Sequence, residues 1–110
     1  MKLPPNSQIP VEKITRYLLV PLPRGDKSAF LSRAGYTPEN PLQLLEDLRA
    51  QILPLDAVAA GENKFGRYFE VRGLLHGPNG IALRVRAIWM TEHLSGSTKF
   101  VTLIPDKQKT

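Results

Sequence analysis

The stretch VRGLLHGPNGIALRVRAIW, residues 71–89, constrains the fold more than any other part of the sequence. Two runs of alternating residues flank the segment Gly77–Gly80. Proline sets φ for the first turn position, asparagine suits the second, and glycine tolerates positive φ at the third. The segment therefore predicts a three-residue hairpin loop with a glycine bulge, in which Gly77 lies opposite Ile81.

This register divides the hairpin into an apolar face and a polar face. The apolar pairs are Leu75 with Leu83, Gly73 with Val85, Val71 with Ala87 and Phe69 with Trp89. The polar face pairs His76 with Ala82, Leu74 with Arg84, Arg72 with Arg86, Glu70 with Ile88 and Tyr68 with Met90. A slip of one residue would mix apolar and charged side chains on one face, so the pattern specifies this register.

The polar face places Arg72 directly opposite Arg86, with Arg84 nearby. Like charges opposed across two strands are unfavourable by ~0.2–1 kcal/mol unless an anion lies between or over them. Glu70 is diagonal to Arg86 and supplies part of that anion. Three arginines and one glutamate still leave an excess of positive charge, which an external phosphate would complete. A solvated sheet face held together by salt bridges is the alternative interpretation.

The charge of the whole chain favours anionic partners. Fifteen Lys and Arg against ten Asp and Glu give a formal charge of +5. Nucleic acid or an acidic protein fits this charge better than a membrane surface does. The chain has no cysteine and two histidines far apart, so we expect no disulfide, metal site or cofactor.

Neither a membrane span nor a secretion signal is expected. No apolar run approaches the ~20 residues that cross a bilayer. The first ten residues, MKLPPNSQIP, lack the apolar core of a signal peptide. We therefore expect a cytoplasmic protein.

The chain has the length of one domain, residues 1–110, with an arm at 1–10, a helical half at 11–53 and a sheet half at 55–105. We expect helices over residues 10–20, over KSAFLSRA with Asp26 as its cap and Gly35 at its end, and from Pro41, where Leu44, Leu45, Leu48 and Ile52 recur at helical spacing. Strands follow, with a turn at residues 61–63, then the hairpin, then TKFVTLIP. The order predicts an α+β fold with the helices on one face of a three- to four-stranded antiparallel sheet.

A second basic segment, PRGDKSAFLSRAGY, precedes the leucine-rich helix. Arg24, Lys27 and Ser28 lie at the predicted start of a short helix, where unpaired N–H groups attract phosphate. The spacing of a nucleotide-binding P-loop is absent. An ordinary capped helix with Lys27 in solvent is the alternative.

Few other side chains carry chemistry. His76 and His93 are candidate proton shuttles, since imidazole titrates near neutrality, or else surface histidines. Trp89 and Phe69 belong to the apolar face, which leaves Tyr68 and Phe100 as rings exposed for base stacking.

The order of these motifs resembles a small bacterial family known as a domain of unknown function. That family has a tyrosine-leucine helix, a P-x-G-x-x-K-[AS]-x-[FL] segment, a glycine-ended turn, a helix, and a strand similar to GPNGRTANVRTVWI before a closing LVTAYP. The matching residues here are Pro23, Gly25, Lys27, Phe30, Gly35, Gly77 to Gly80, Val85, Arg86, Trp89, Val101, Thr102 and Pro105. The resemblance spans nearly the whole chain.

The layout of that family is similar to the barnase, EndoU, colicin and RelE group of ribonuclease toxins. The likeness implies a toxin-type, metal-independent endoribonuclease, by analogy of fold. One departure is that many members carry a histidine before the glycine, where this chain has Leu22 and Pro23. If that histidine is the general acid, either His76 or His93 would have to replace it here or the chain would be inactive.

These considerations assign roles to a small set of residues. Glu70 is the expected general base, Arg72, Arg84 and Arg86 the cations that stabilise the phosphorane, and Lys27 a further phosphate contact. The general acid is unassigned. The residues expected to contact RNA are Arg24, Lys27, Ser28, Tyr68 and Thr102.

Two other functional classes use the same residues. One is a non-catalytic module that binds nucleic acid or an acidic protein through the arginine face. The other is a structural or immunity-type protein whose arginines are only solvated. The toxin hypothesis predicts RNA as substrate and a small acidic antitoxin or immunity protein as partner, and it leaves the oligomeric state open.

Overall fold

Short helices precede an antiparallel sheet in the computed structural model, which describes residues 1–23 and 27–106. The helices are α1 (Val11–Lys13), α2 (Ser28–Ser32) and α3 (Pro41–Asp47); α1 continues as a π-helical turn, Ile14–Leu18, and α3 as another, Leu48–Ile52. The strands are β1 (Ala57–Glu62), β2 (Gly66–His76), β3 (Ala82–Glu92) and β4 (Thr98–Pro105). The predicted α+β fold is confirmed, with four strands in the order β1-β2-β3-β4. No helix in the described ranges is long and apolar enough to cross a membrane.

The predicted helices form, and the first and third of them continue as π-helical turns. α3 begins at Pro41, as expected from a proline at the first helical position. Its last turn widens, and Leu53 N–H donates to the carbonyl of Leu48 at 2.9 Å. Gly35 follows α2 with φ of 95°, the left-handed conformation predicted for it. The predicted cap Asp26 lies outside the described residues.

The hairpin register is confirmed in full. Arg72 lies opposite Arg86 and Phe69 lies opposite Trp89, and Gly77 N–H donates to the carbonyl of Ile81 at 3.0 Å. Trp89 is fully buried. The apolar face therefore meets the core, and the arginines point away from it.

The helical half covers that apolar face. A Cβ added to Gly73 would lie 2.5 Å from Leu55 Cδ1 and 3.4 Å from Ile52 Cδ1, so the segment after α3 packs directly on β2. Leu44, Leu48 and Ile52 are fully buried, as their spacing predicted.

The turn between β1 and β2 was predicted two residues too early. β1 continues through Gly61 to Glu62, and the chain reverses at residues 63–65. Asn63 Oδ1 accepts bonds from the N–H groups of Phe65 at 2.9 Å and Gly66 at 3.2 Å. Gly61 instead follows a shift of register in β1, so the glycine marks a bulge and not the turn.

Phe100 is not the exposed ring that the sequence predicted. It is 1% exposed and meets Trp89 edge to face, with ring centroids 5.3 Å apart. The β3–β4 ladder passes from Trp89–Phe100 to Ile88–Thr102, so β4 contains one extra residue. This irregularity changes the alternation of faces along β4 and turns Phe100 into the core.

The N-terminal arm runs from one edge of the sheet to the other. Lys2 pairs with Asp56, just before β1, and Gln8 pairs with Lys99 on β4. Leu3 and Ile9 are buried along this path. The arm thereby brings α1 and its π-helical turn alongside the outer edge of β4.

The tip of the β2–β3 hairpin packs on the segment after α2, which makes Gly77 sensitive to substitution. A Cβ on Gly77 would overlap the carbonyl oxygen of Ala34, which also accepts a bond from Asn79 N–H at 3.3 Å. We expect Gly77→Ala to lower the free energy of unfolding by about 1–3 kcal/mol, as overpacking does. Urea denaturation measures this loss.

Ile81→Ala is the matched control, because Ile81 belongs to the same turn and is 48% exposed. Its effect should stay within about 0.5 kcal/mol, as for most surface substitutions. A Gly77→Ala protein as stable as wild type would contradict the packing of this tip on Ala34.

Candidate functional site

The arginine cluster consists of Arg72, Arg84 and Arg86 together with Glu70 on the outward face of β2 and β3. Glu70 Oε1 accepts a hydrogen bond from Arg86 Nε, and Glu70 Oε2 lies 3.4 Å from Arg72 Nε. The Glu70 side chain is 10% exposed, whereas that of Arg72 is 52% exposed. The carboxylate thus lies beneath the two guanidinium groups that the sequence placed opposite one another.

The carboxylate balances only part of the positive charge. Arg84, two residues from Arg86 on β3, lines with Arg72 and Asp106 a shallow depression of about 290 Å³. Asp106 N–H donates to the carbonyl of Arg84 at 2.9 Å, which places a second carboxylate at this end of the cluster. The cluster is therefore a cationic surface with acidic groups at two points, able to accept the oxygens of an anion.

The tyrosine–lysine cluster consists of Tyr17, Lys27 and Thr102. Lys27 Nζ donates to Tyr17 Oη at 2.8 Å, and Thr102 Oγ1 donates to the same oxygen at 3.3 Å. The hydrogen bond from Lys27, followed by that from Thr102, lowers the pKa of Tyr17 below its ordinary value. Two donors stabilise the phenolate more than the phenol, and this explains the direction of the shift.

Sequence reasoning gave Tyr17 no chemical role. Tyr17 lies between Ile14 and Leu18 in the chain, and these two residues are fully buried, whereas Tyr17 is partly exposed. Lys27 was predicted as a phosphate contact and Thr102 as an RNA contact, yet both direct their polar atoms to the tyrosine. No local pattern links these residues, because 85 positions separate Tyr17 from Thr102.

The two clusters share one face of the sheet. Glu70 pairs with Ile88, and Ile88 pairs with Thr102, so these residues form one row across β2, β3 and β4. Side chains directly opposed in neighbouring strands project to the same side. Two strand spacings separate Glu70 from Thr102, roughly 10 Å between their backbones.

The comparisons with known proteins identify a family. A family model described as Domain of unknown function (DUF6883) matches residues 2–107. The chain belongs to the DUF6883 family. The resemblance to a family of unknown function is thereby confirmed, and the likeness to ribonuclease toxins is one of layout alone. No curated protein and no solved structure matches the chain.

The remaining RNA contacts predicted for this DUF6883 protein lie at different places. Tyr68 precedes Glu70 by two positions on the polar face of β2, and its hydroxyl accepts a bond from Asn63 Nδ2 at 3.2 Å. Ser28 begins α2, which has only five residues, so the helix dipole adds little there. Arg24 lies outside the described residues.

Neither histidine of the DUF6883 protein lies near Glu70. His76 is six residues away along β2, roughly 20 Å at the usual rise per strand residue. His93 lies beyond the end of β3, where its Nε2 is 3.0 Å from the carbonyl of Asn63 and 3.2 Å from Glu62 Oε2. The geometry therefore separates both candidate proton shuttles from Glu70.

Metal ligands are also not grouped in the part of the DUF6883 chain that the structure describes. Within residues 1–23 and 27–106, no three His, Cys, Asp or Glu side chains come together as a metal site would require.

Proposed function

We propose that this DUF6883 protein is a metal-independent endoribonuclease of the toxin type, which holds RNA against the arginine cluster. The observation that carries the proposal is Glu70, a largely buried carboxylate between Arg72 and Arg86 on an outward sheet face. A base surrounded by cations is what cleavage at a ribose 2′-hydroxyl requires. The formal charge of +5 supports a polyanionic substrate.

The contacts of Glu70 suggest how a phosphate would enter. The Arg72 contact is the longer of the two ion pairs to Glu70, and Arg72 is the more exposed arginine. An RNA phosphate competes with Glu70 for this guanidinium, because both are oxyanions. When Arg72 turns to the phosphate, one carboxylate oxygen is freed to accept the 2′-hydroxyl proton.

A non-catalytic binding module is the second candidate function. It is favoured by the fact that both oxygens of Glu70 already contact arginines, which is also the arrangement of a structural ion-pair network. Such a module would bind nucleic acid or an acidic protein through the same face and leave it intact.

The toxin proposal also predicts where the protein acts and which kind of partner it binds. The enzyme would act on RNA in the cytoplasm, and a small acidic antitoxin or immunity protein would restrain it. Carboxylates of that partner would cover the arginine cluster, since they match its charge. Co-expression with a small acidic protein encoded by a neighbouring gene would then relieve the toxicity of the chain.

Replacement of Arg86 tests binding by either candidate. We expect Arg86→Ala to weaken RNA binding by about 1–3 kcal/mol, the usual loss of a charge-assisted contact. The dependence of log affinity on log salt should become shallower by about 0.7, the value for one lost phosphate contact on a single strand. Filter binding over a salt series measures both quantities.

Arg67→Ala is the matched control, because Arg67 is exposed and lies beside Glu62 at the other end of β2. It should change RNA affinity little. RNA binding that does not respond to salt, or no binding at low salt, would eliminate the nucleic-acid function.

A further inference from the structure

Tyr17 Oη has the hydrogen-bond arrangement of a proton donor. Within the described residues, both hydrogen bonds at this oxygen are donated to it, one by Lys27 Nζ and one by Thr102 Oγ1. A phenol oxygen accepts through its lone pairs, so the O–H proton stays available to a third group. The cationic donor stabilises the phenolate that remains when the proton leaves.

The position of Tyr17 matches a missing part of the proposed site. The N-terminal arm places its helical turn beside β4, and the bond to Thr102 brings the hydroxyl to the row that contains Glu70. The row spans roughly 10 Å between the backbones of Glu70 and Thr102. Ile88 lies between Glu70 and Thr102 in this row, so a phosphodiester held over Ile88 would have the base on one side and the acid on the other.

We propose that Tyr17 is the general acid of this site, donating its proton to the leaving 5′-oxygen of RNA, with Lys27 as the residue that positions and activates it. The inference rests on the proposed ribonuclease function. It assigns the general acid, a role for which both histidines lie too far from Glu70.

The reaction balances with these groups. Glu70 takes the proton of the 2′-hydroxyl, the 2′-oxygen forms a bond to phosphorus, and the bond from phosphorus to the 5′-oxygen breaks. The proton of Tyr17 passes to that 5′-oxygen. The products are a 2′,3′-cyclic phosphate and a free 5′-hydroxyl, and water returns the proton from Glu70 to Tyr17.

The proposal predicts a direction for the pH dependence. The charged groups facing Tyr17 within the described residues are Lys27, before α2, and Lys13, on its own helix; β4 contributes the neutral Thr102. These contacts lower the pKa of Tyr17 below its ordinary value, so the phenol loses its proton at a lower pH than an unperturbed tyrosine does. Cleavage of RNA should therefore decline on the alkaline side, and Lys27→Met should move that decline to higher pH.

Cleavage of two substrates distinguishes a general acid at Tyr17 from a residue that only supports the fold. One is mixed RNA, whose 5′-oxygen needs a proton. The other is a set of nucleoside 3′-nitrophenyl phosphates, whose nitrophenolate leaves without one. We expect Tyr17→Phe to lose about 10²–10⁴-fold on RNA, the usual contribution of a general acid, and to cleave the nitrophenyl esters almost as wild type does.

Matched variants complete the comparison. Thr15→Val removes an exposed hydroxyl that donates to Val11 O at 3.2 Å on the same helix, and it should leave both activities unchanged. Glu70→Gln should lose activity on both substrates, because cleavage of each one needs the base.

Each other outcome overturns a defined claim. If Tyr17→Phe cuts RNA normally, or loses activity on both substrates equally, Tyr17 is not the general acid and the ribonuclease proposal stands. If the wild-type chain cuts neither substrate, the ribonuclease proposal fails and the acid assignment fails with it.

A titration tests the activation of Tyr17 without any activity. Phenolate absorbance should show one tyrosine that ionises early, and Tyr17→Phe should remove that component. Burial, followed by the hydrogen bond to Asp47, raises the pKa of Tyr36, so Tyr36 does not obscure it. Identical titrations of wild type and Tyr17→Phe below pH 10.0 would overturn the inference.

Discussion

Glu70→Gln is expected to reduce RNA cleavage by about 10²–10⁴-fold, the usual contribution of a general base. RNA affinity should stay equal or rise, because a carboxylate beside a bound phosphate opposes ground-state binding. Glutamine keeps the shape of the side chain, and its amide oxygen still accepts a bond from Arg86. The substitution therefore removes the base while it leaves the arginine cluster in place.

The assay compares cleavage of a mixed RNA in the presence of EDTA with filter binding of the same RNA. EDTA checks the claim that the reaction needs no metal. Glu92→Gln is the matched control, since Glu92 pairs with Lys99 at the far end of β3 and should change neither quantity. Both variants are assayed well below their melting temperatures, because Glu70→Gln weakens two ion pairs.

Two results would revise the assignment. A wild-type chain that binds RNA and cuts none would replace the ribonuclease with the binding module. Normal cleavage by Glu70→Gln would show that another group accepts the 2′-hydroxyl proton.

Trp89→Ala is expected to lower the free energy of unfolding by about 3–5 kcal/mol, the range for removing a buried large aromatic side chain. Trp89 is fully buried, and its loss also removes the edge contact with Phe100 at 5.3 Å. Since domains are stable by only about 5–15 kcal/mol, this loss is a large share of the total.

Circular dichroism in urea is the suitable measurement, because Trp89 is the one tryptophan of the sequence and its fluorescence disappears with it. Phe65→Ala is the control, because Phe65 is 62% exposed in the β1–β2 turn. Its effect should stay within about 0.5 kcal/mol. A loss near zero for Trp89→Ala would contradict the position of the core.

The prediction of the hairpin succeeded because its determinants are local. A turn whose residues set the loop length, together with strict alternation on both sides, leaves one register in which an apolar face forms. The same pairing places Arg72 opposite Arg86 and Glu70 beside them. The arginine cluster was therefore predictable from residues 69–89 alone.

The errors occurred where strands depart from regular pairing. The extra residue in β4 moved Phe100 into the core, and the bulge at Gly61 delayed the β1–β2 turn. A bulge changes the face of the sheet that a residue occupies. The pattern of apolar residues in the sequence does not reveal where the bulge lies.

The sequence by itself determined the order of helices and strands, the hairpin register and the charge of the outward face, since each depends on neighbouring residues or on a period of two. Only the tertiary structure decided that Tyr17 meets Lys27 and Thr102. The path of the N-terminal arm along β4 brings these residues together. Such contacts join residues far apart in the chain, and the pattern of a single segment carries no information about them.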